Sequence, residues 1–221
     1  MKMQTIVLDI ETENLGSNVM TDNTRVISIQ LGDENNQMLY FADSKKPENS
    51  LNESIKRINL LISEGYVFAG YSIKRFDVPI LKELMNLEIP EENILELTHT
   101  TRFNDLLRRL GKRYLSLSDA CEALGINASH KKKMNTKAEE YLTRPDILNK
   151  AKKEAPAIAK KKGGTIEYAY NESIHKIAGG YAIYDAYIEF VQKDGARDTL
   201  FYDYAVGDII CEYKLFQKLT E

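Results

Sequence analysis

Cysteine is scarce in this chain of 221 residues: Cys121 and Cys211 are the only two, far apart and in no metal-type spacing. That excludes a disulfide framework and a cysteine-based zinc site. It makes a reducing cytosol the natural setting, so a cytoplasmic location is expected. Long hydrophobic runs are also missing. No uncharged apolar stretch approaches a membrane span, and the N-terminus shows no apolar signal region followed by a small-residue cleavage site, so no membrane partner is expected. Internal repeats and low-complexity linkers are absent. A surplus of positive charge is lacking too, since 30 Lys+Arg against 33 Asp+Glu leave a net charge of −3. Taken globally, that speaks against a nucleic-acid partner. What is present is an ordinary apolar fraction of 43%, enough to build a sizeable core in a single domain over residues 1–221.

The charge is unevenly placed. Residues 131–162 hold eleven bases against four acids, a local +7, so the remainder carries −10. Global charge is therefore a poor guide, and an acidic body with a basic appendage is the better description.

Hydrophobic patterning divides the rest. Residues 5–11, 25–31 and 37–42 are β-branched or alternating runs joined by short connections, which predicts an antiparallel three-strand meander. Helical periodicity follows: Ser50 and Glu53 form a capping signature, and Leu51, Ile55, Ile58, Leu61 and Ile62 share one face up to Gly65. A short buried strand at 66–71, a helix after Asp77, a short helix at 117–124 and a last helix over 199–219 complete an α/β class with a mixed central sheet flanked by helices.

Carboxylates stand in unusual places. Asp9 and Glu11 lie two apart in the first strand, so both side chains leave the same face. On a hydrophobic central strand such a pair needs positive compensation, and hard oxygen ligands favour Mg2+ or Mn2+. An edge strand whose polar face meets water would serve equally well. Asp77 stands where a loop gives way to a helix, a position that also suits a simple N-cap. Tyr204 and Asp208 are one helical turn apart among apolar neighbours. There an unpartnered acid is costly, and Gly207 leaves room for a close approach. His99, His130 and His175 share no metal-ligand spacing, and His130, heading a lysine run, reads as solvated. Cys121 and Cys211 read as core thiols.

Together, Asp9-Ile10-Glu11, Asp77 in Phe-Asp-Val-Pro-Ile-Leu, and Tyr204-x-x-x-Asp208 resemble the three motifs of the DEDD exonuclease superfamily. The tyrosine marks the DEDDy branch, because the histidine position of the DEDDh branch is Asp203 here. Residues 70–77 and 114–119 are similar to stretches in the proofreading exonuclease domains of family B DNA polymerases and their stand-alone relatives. The likeness covers 1–125 and 198–219. Ser72 departs from the asparagine common in relatives, and 126–197 forms a basic insertion before the last helix.

The resemblance implies an RNase H-like fold and a 3′–5′ exonuclease using two divalent cations, Mg2+ or Mn2+, on single-stranded or frayed DNA. RNA trimming and a vestigial accessory module are the competing readings, and replication or repair partners are possible company. It implies metal ligation by Asp9, Glu11, Asp77 and Asp208. Asp9 bridges the two ions, and Tyr204 orients the attacking water, its phenol being too weakly acidic to act as base at pH 7. Thr12 is expected at the terminal sugar, Leu15 as a wedge against the terminal base, and Ser72 and Phe76 near the substrate. For Lys131, Lys132 and Lys133 two readings stand: a phosphate-contacting arm, with Tyr168, Tyr170, Tyr181 and Tyr184 as stacking surface, or a solvated helix.

Overall fold

The computed structural model describes residues 4–16, 23–162 and 164–220. The meander forms as the alternation predicts, with β1 (Thr5–Asn14), β2 (Asn23–Gly32) and β3 (Gln37–Phe41). Helix α1 (Leu51–Ser63) follows, Ser50 Oγ accepting from the Glu53 amide. Then come β4 (Val67–Gly70), α2 (Asp77–Met85), β5 (Ile94–Glu96), α3 (Thr101–Leu110) and α4 (Leu117–Ala123). The chain ends with α5 (Ser129–Glu139), α6 (Pro145–Lys162), α7 (Ile166–Gln192) and α8 (Leu200–Thr220).

The strand order is β3-β2-β1-β4-β5. β1 is central, antiparallel to β2 and parallel to β4, and β4 is parallel to β5. Alternation along β1 sends Leu8 and Ile10 to one face, where they pack with Ile58 and Leu61 of α1 and Ile80 and Leu81 of α2. Val7 points to the other face, against Ile209 and Leu215 of α8. Asp9 and Glu11 have the parity of Val7 and so face α8. The edge-strand alternative for this pair is thereby removed, because β1 lies inside the sheet between β2 and β4 and the face carrying Asp9 and Glu11 looks onto α8.

The segment 126–197 is no loose appendage. Met134 of α5, Ile147 and Ala151 of α6, and Ile177, Ala178, Ala182 and Tyr187 of α7 share a buried cluster with Ile27, Phe41 and Phe201. Lys132, Lys133, Lys152, Lys153, Lys160 and Lys161 lie on the outer faces of helices whose inner faces complete the core.

Candidate active site

β1 delivers the first two acids to the floor of a cleft of about 440 Å³. A register irregularity after Glu11 breaks the ladder with β2 and turns the strand there. α8 runs over the same face and lowers Asp208 onto them, so that ligand atoms of Asp9, Glu11 and Asp208 all lie within 4.8 Å of one another. Asp77 and Tyr204 line the same cleft. Asp77 is the first residue of α2 rather than its cap. Its Oδ1 accepts the Ile10 amide at 3.1 Å, tying the helix start to β1 between the two strand acids.

Crowding of buried carboxylates sets the electrostatics. Burial, reinforced by Asp208 and Asp77, pushes Glu11 up to about 8. Burial and the charges of Glu212, Asp77, Glu11 and Asp208 raise Asp9 well above the carboxylate range, and burial carries Asp77 to about 7. Asp208 moves the other way. Burial alone would raise it, but Lys131 and His130 hold it below its ordinary value. Lys131 Nζ is hydrogen-bonded to Asp208 Oδ2 and lies 3.3 Å from the Tyr204 hydroxyl, while His130 Nε2 lies 2.8 Å from Asp208 Oδ1. Burial also drives the Tyr204 phenol far above its usual value, with Glu11 the next cause, so it stays protonated at neutral pH.

These facts correct one sequence expectation and add detail to another. His130 is not solvated: its side chain is 11% exposed and locked on Asp208. Gly207 makes this possible, since a Cβ there would overlap the His130 ring. The three lysines of the expected phosphate-contacting arm point in different directions. Successive helical residues point about 100° apart, so Lys131 turns into the site, Lys132 is exposed, and Lys133 pairs with Asp203 at 2.8 Å. The remaining expected contacts are mixed. Thr12, Ser72 and Phe76 line the cleft. Leu15 offers its carbonyl to Lys150, but its side chain is not part of the cleft wall. Of the four tyrosines, Tyr170, Tyr181 and Tyr184 pack against the core, and Tyr168 is 65% exposed.

Two buried acids escaped the sequence reading. Glu212, one turn beyond Asp208, lines the cleft and accepts the Tyr71 amide at 3.2 Å; the i, i+4 spacing on α8 was the available signal. Glu96 accepts from Ser72 N at 2.9 Å, Lys74 N at 3.1 Å and Thr98 N at 3.0 Å. It thereby holds the turn in which Ser72 adopts φ 64°. No local pattern marks that role.

The site fits hard divalent cations. The donors are all carboxylate oxygens, Asp9 Oδ2 is buried with no hydrogen-bond partner among the described residues, and an ammonium already bonds Asp208. A sequence model of the RNase_H superfamily matches residues 6–142, more than half of the chain. The chain belongs to that superfamily. Membership and the acidic cluster together suggest a metal-dependent nuclease, and the fold implies a nucleic-acid substrate. No curated protein matches the chain significantly. Among the described residues no helix is long and apolar enough to cross a membrane.

Proposed function

We propose that this chain is a 3′–5′ exonuclease of the DEDDy type, removing nucleotides from single-stranded or frayed DNA ends and releasing 5′-monophosphates. The observation that carries the reading is the convergence of Asp9, Glu11 and Asp208 within 4.8 Å in a cleft shared with Asp77 and Tyr204. Two bound Mg2+ or Mn2+ ions would supply a water of lowered pKa and charge relief at the leaving oxygen.

The chain's own groups account for the rest. Asp9, Glu11 and Asp208 provide the shared ligands, and Asp77 supports them from the start of α2. Glu11, held protonated near pH 7 by its surroundings, would have to give up that proton to serve as a cation ligand. Tyr204, kept neutral by burial, orients water by hydrogen bonding and does not take its proton. Lys131, in the cleft lining beside Asp208 and the Tyr204 hydroxyl, would set a positive charge near a scissile phosphate. Thr12 and Phe76 in the cleft wall suit the terminal nucleotide, and Ser72 on its Glu96-held turn suits the adjoining backbone.

Digesting 3′-labelled and 5′-labelled DNA and RNA side by side, with magnesium, manganese or chelator, tests this. Stepwise loss from the 3′ end of DNA, abolished by chelator, is expected. Internal cuts, 5′ loss or metal-independent cleavage would overturn it, and faster trimming of RNA would move the substrate assignment to the ribonucleotide.

A further inference from the structure

Helix α7 supplies one wall of the cleft, although no exonuclease motif lies on it: His175, Lys176, Gly179, Gly180 and Ile183 face the carboxylates across the opening. The approach is unusually close. Gly180 packs on the end of β1 so tightly that a Cβ would overlap the Asn14 carbonyl oxygen, whereas a Cβ at Gly179 would meet nothing within 4 Å. One glycine seats the helix and the next leaves its cleft side bare. Beyond Lys176 the same face opens into a second hollow of about 470 Å³, formed by Tyr168, Asn171, Glu172, His175 and Lys176. His175 and Lys176 line both spaces, so the two adjoin along the helix.

We infer that this face of α7 is a track for the DNA strand 5′ to the scissile bond, an inference that rests on the exonuclease reading. The positions from Tyr168 to Gly179 recur at helical spacing along about 16 Å, room for roughly five nucleotides at stacked spacing. Bare Gly179 passes the backbone next to the site. Lys176, held along the helix by Glu172 at 2.9 Å, meets a phosphate at the junction. Tyr168, 65% exposed at the far end, offers a face on which a base stacks. The chain just before α7 in sequence also carries exposed Lys160 and Lys161. Charge and stacking surface thus lie along one face of one helix.

The test is fluorescence anisotropy with labelled oligothymidylates, a dodecamer and a dinucleotide, in chelator across a salt series. The wild type is expected to bind the dodecamer about tenfold or more tightly than the dinucleotide. Tyr168→Ala and Lys176→Gln should each erase most of that gain, Lys176→Gln lowering the salt slope by about 0.7. Tyr168→Phe and Lys176→Arg should restore it. Length-independent binding by the wild type, or variants that keep both affinity and slope, would overturn the track. Hydrolysis of the same oligonucleotides in magnesium is scored separately. Length-dependent binding without 3′ hydrolysis sinks the exonuclease reading and keeps the track, and 3′ hydrolysis with length-independent binding does the reverse.

Discussion

Asp208 is the residue on which the site turns. It is the one acid in the group held ionised, because Lys131 and His130 take both of its oxygens. The neighbours Asp9, Glu11 and Asp77 are pushed the other way by burial and by one another. Asp9→Asn or Asp208→Asn should therefore reduce turnover by at least about a hundredfold with the fold retained, while Tyr204→Phe, which removes an orienting hydroxyl and no charge, should cost less. Single-turnover rates together with far-UV dichroism check this. The carboxylates also set a pH dependence. Glu11 has a folded pKa near 8, above its value in the unfolded chain, so between those values the folded state binds the extra proton. Stability is then full at low pH and falls as pH rises toward 8. In chelator the melting temperature should drop from pH 5 to pH 8, Glu11→Gln should flatten the drop, and magnesium should oppose it. A melting temperature rising over that range in chelator would contradict the assigned shift.

At the level of elements, α5 and α7 are docked by missing side chains. Gly207 on α8 admits the His130 ring of α5, and Gly180 on α7 admits the Asn14 carbonyl. Gly207→Ala and Gly180→Ala should each cost about 1–3 kcal/mol, read by denaturant midpoints, because backbone or ring atoms must shift to accept the methyl group. Lys131→Met should cost roughly 3 kcal/mol in chelator by stranding Asp208 without its main counter-charge, and magnesium should return part of it. The elements that locate the acids were legible in the chain. β1, α2 and α8 are betrayed by β-branched runs and helical periodicity, and the two-residue spacing of Asp9 and Glu11 fixed their common face. The partnership of His130 with Asp208 was not, because it joins positions 78 apart through a glycine whose purpose is visible only once α5 lies beside α8.

For the whole molecule, the segment 126–197 decides what kind of protein this is. Its inner faces share a core with β2, β3 and α8, so replacing it with a short linker should expose that sheet face. The expected result is an aggregating chain with no cooperative melt, seen by size-exclusion chromatography and calorimetry; a monodisperse, folded product would show the core to be independent of it. The net charge of −3 conceals the same division, since the acids that matter converge inside, and of the bases on α5 and α6 Lys131 joins them while Lys132, Lys133, Lys152, Lys153, Lys160 and Lys161 are exposed.

The sequence by itself determined the meander, β4, α1, α2, α4 and α8, the face shared by Asp9 and Glu11, and the kinds of ligand atom on offer, because these follow from local periodicity and side-chain chemistry; β5, α3 and the helices α5 to α7 were not read from it. Only the tertiary structure decided which groups meet. It brought Asp208 to the strand acids, put a lysine and a histidine of a basic stretch on that carboxylate, and set α7 against the end of β1. Those outcomes depend on helix placement and on the space two glycines leave, and neither is written in any local window of the chain.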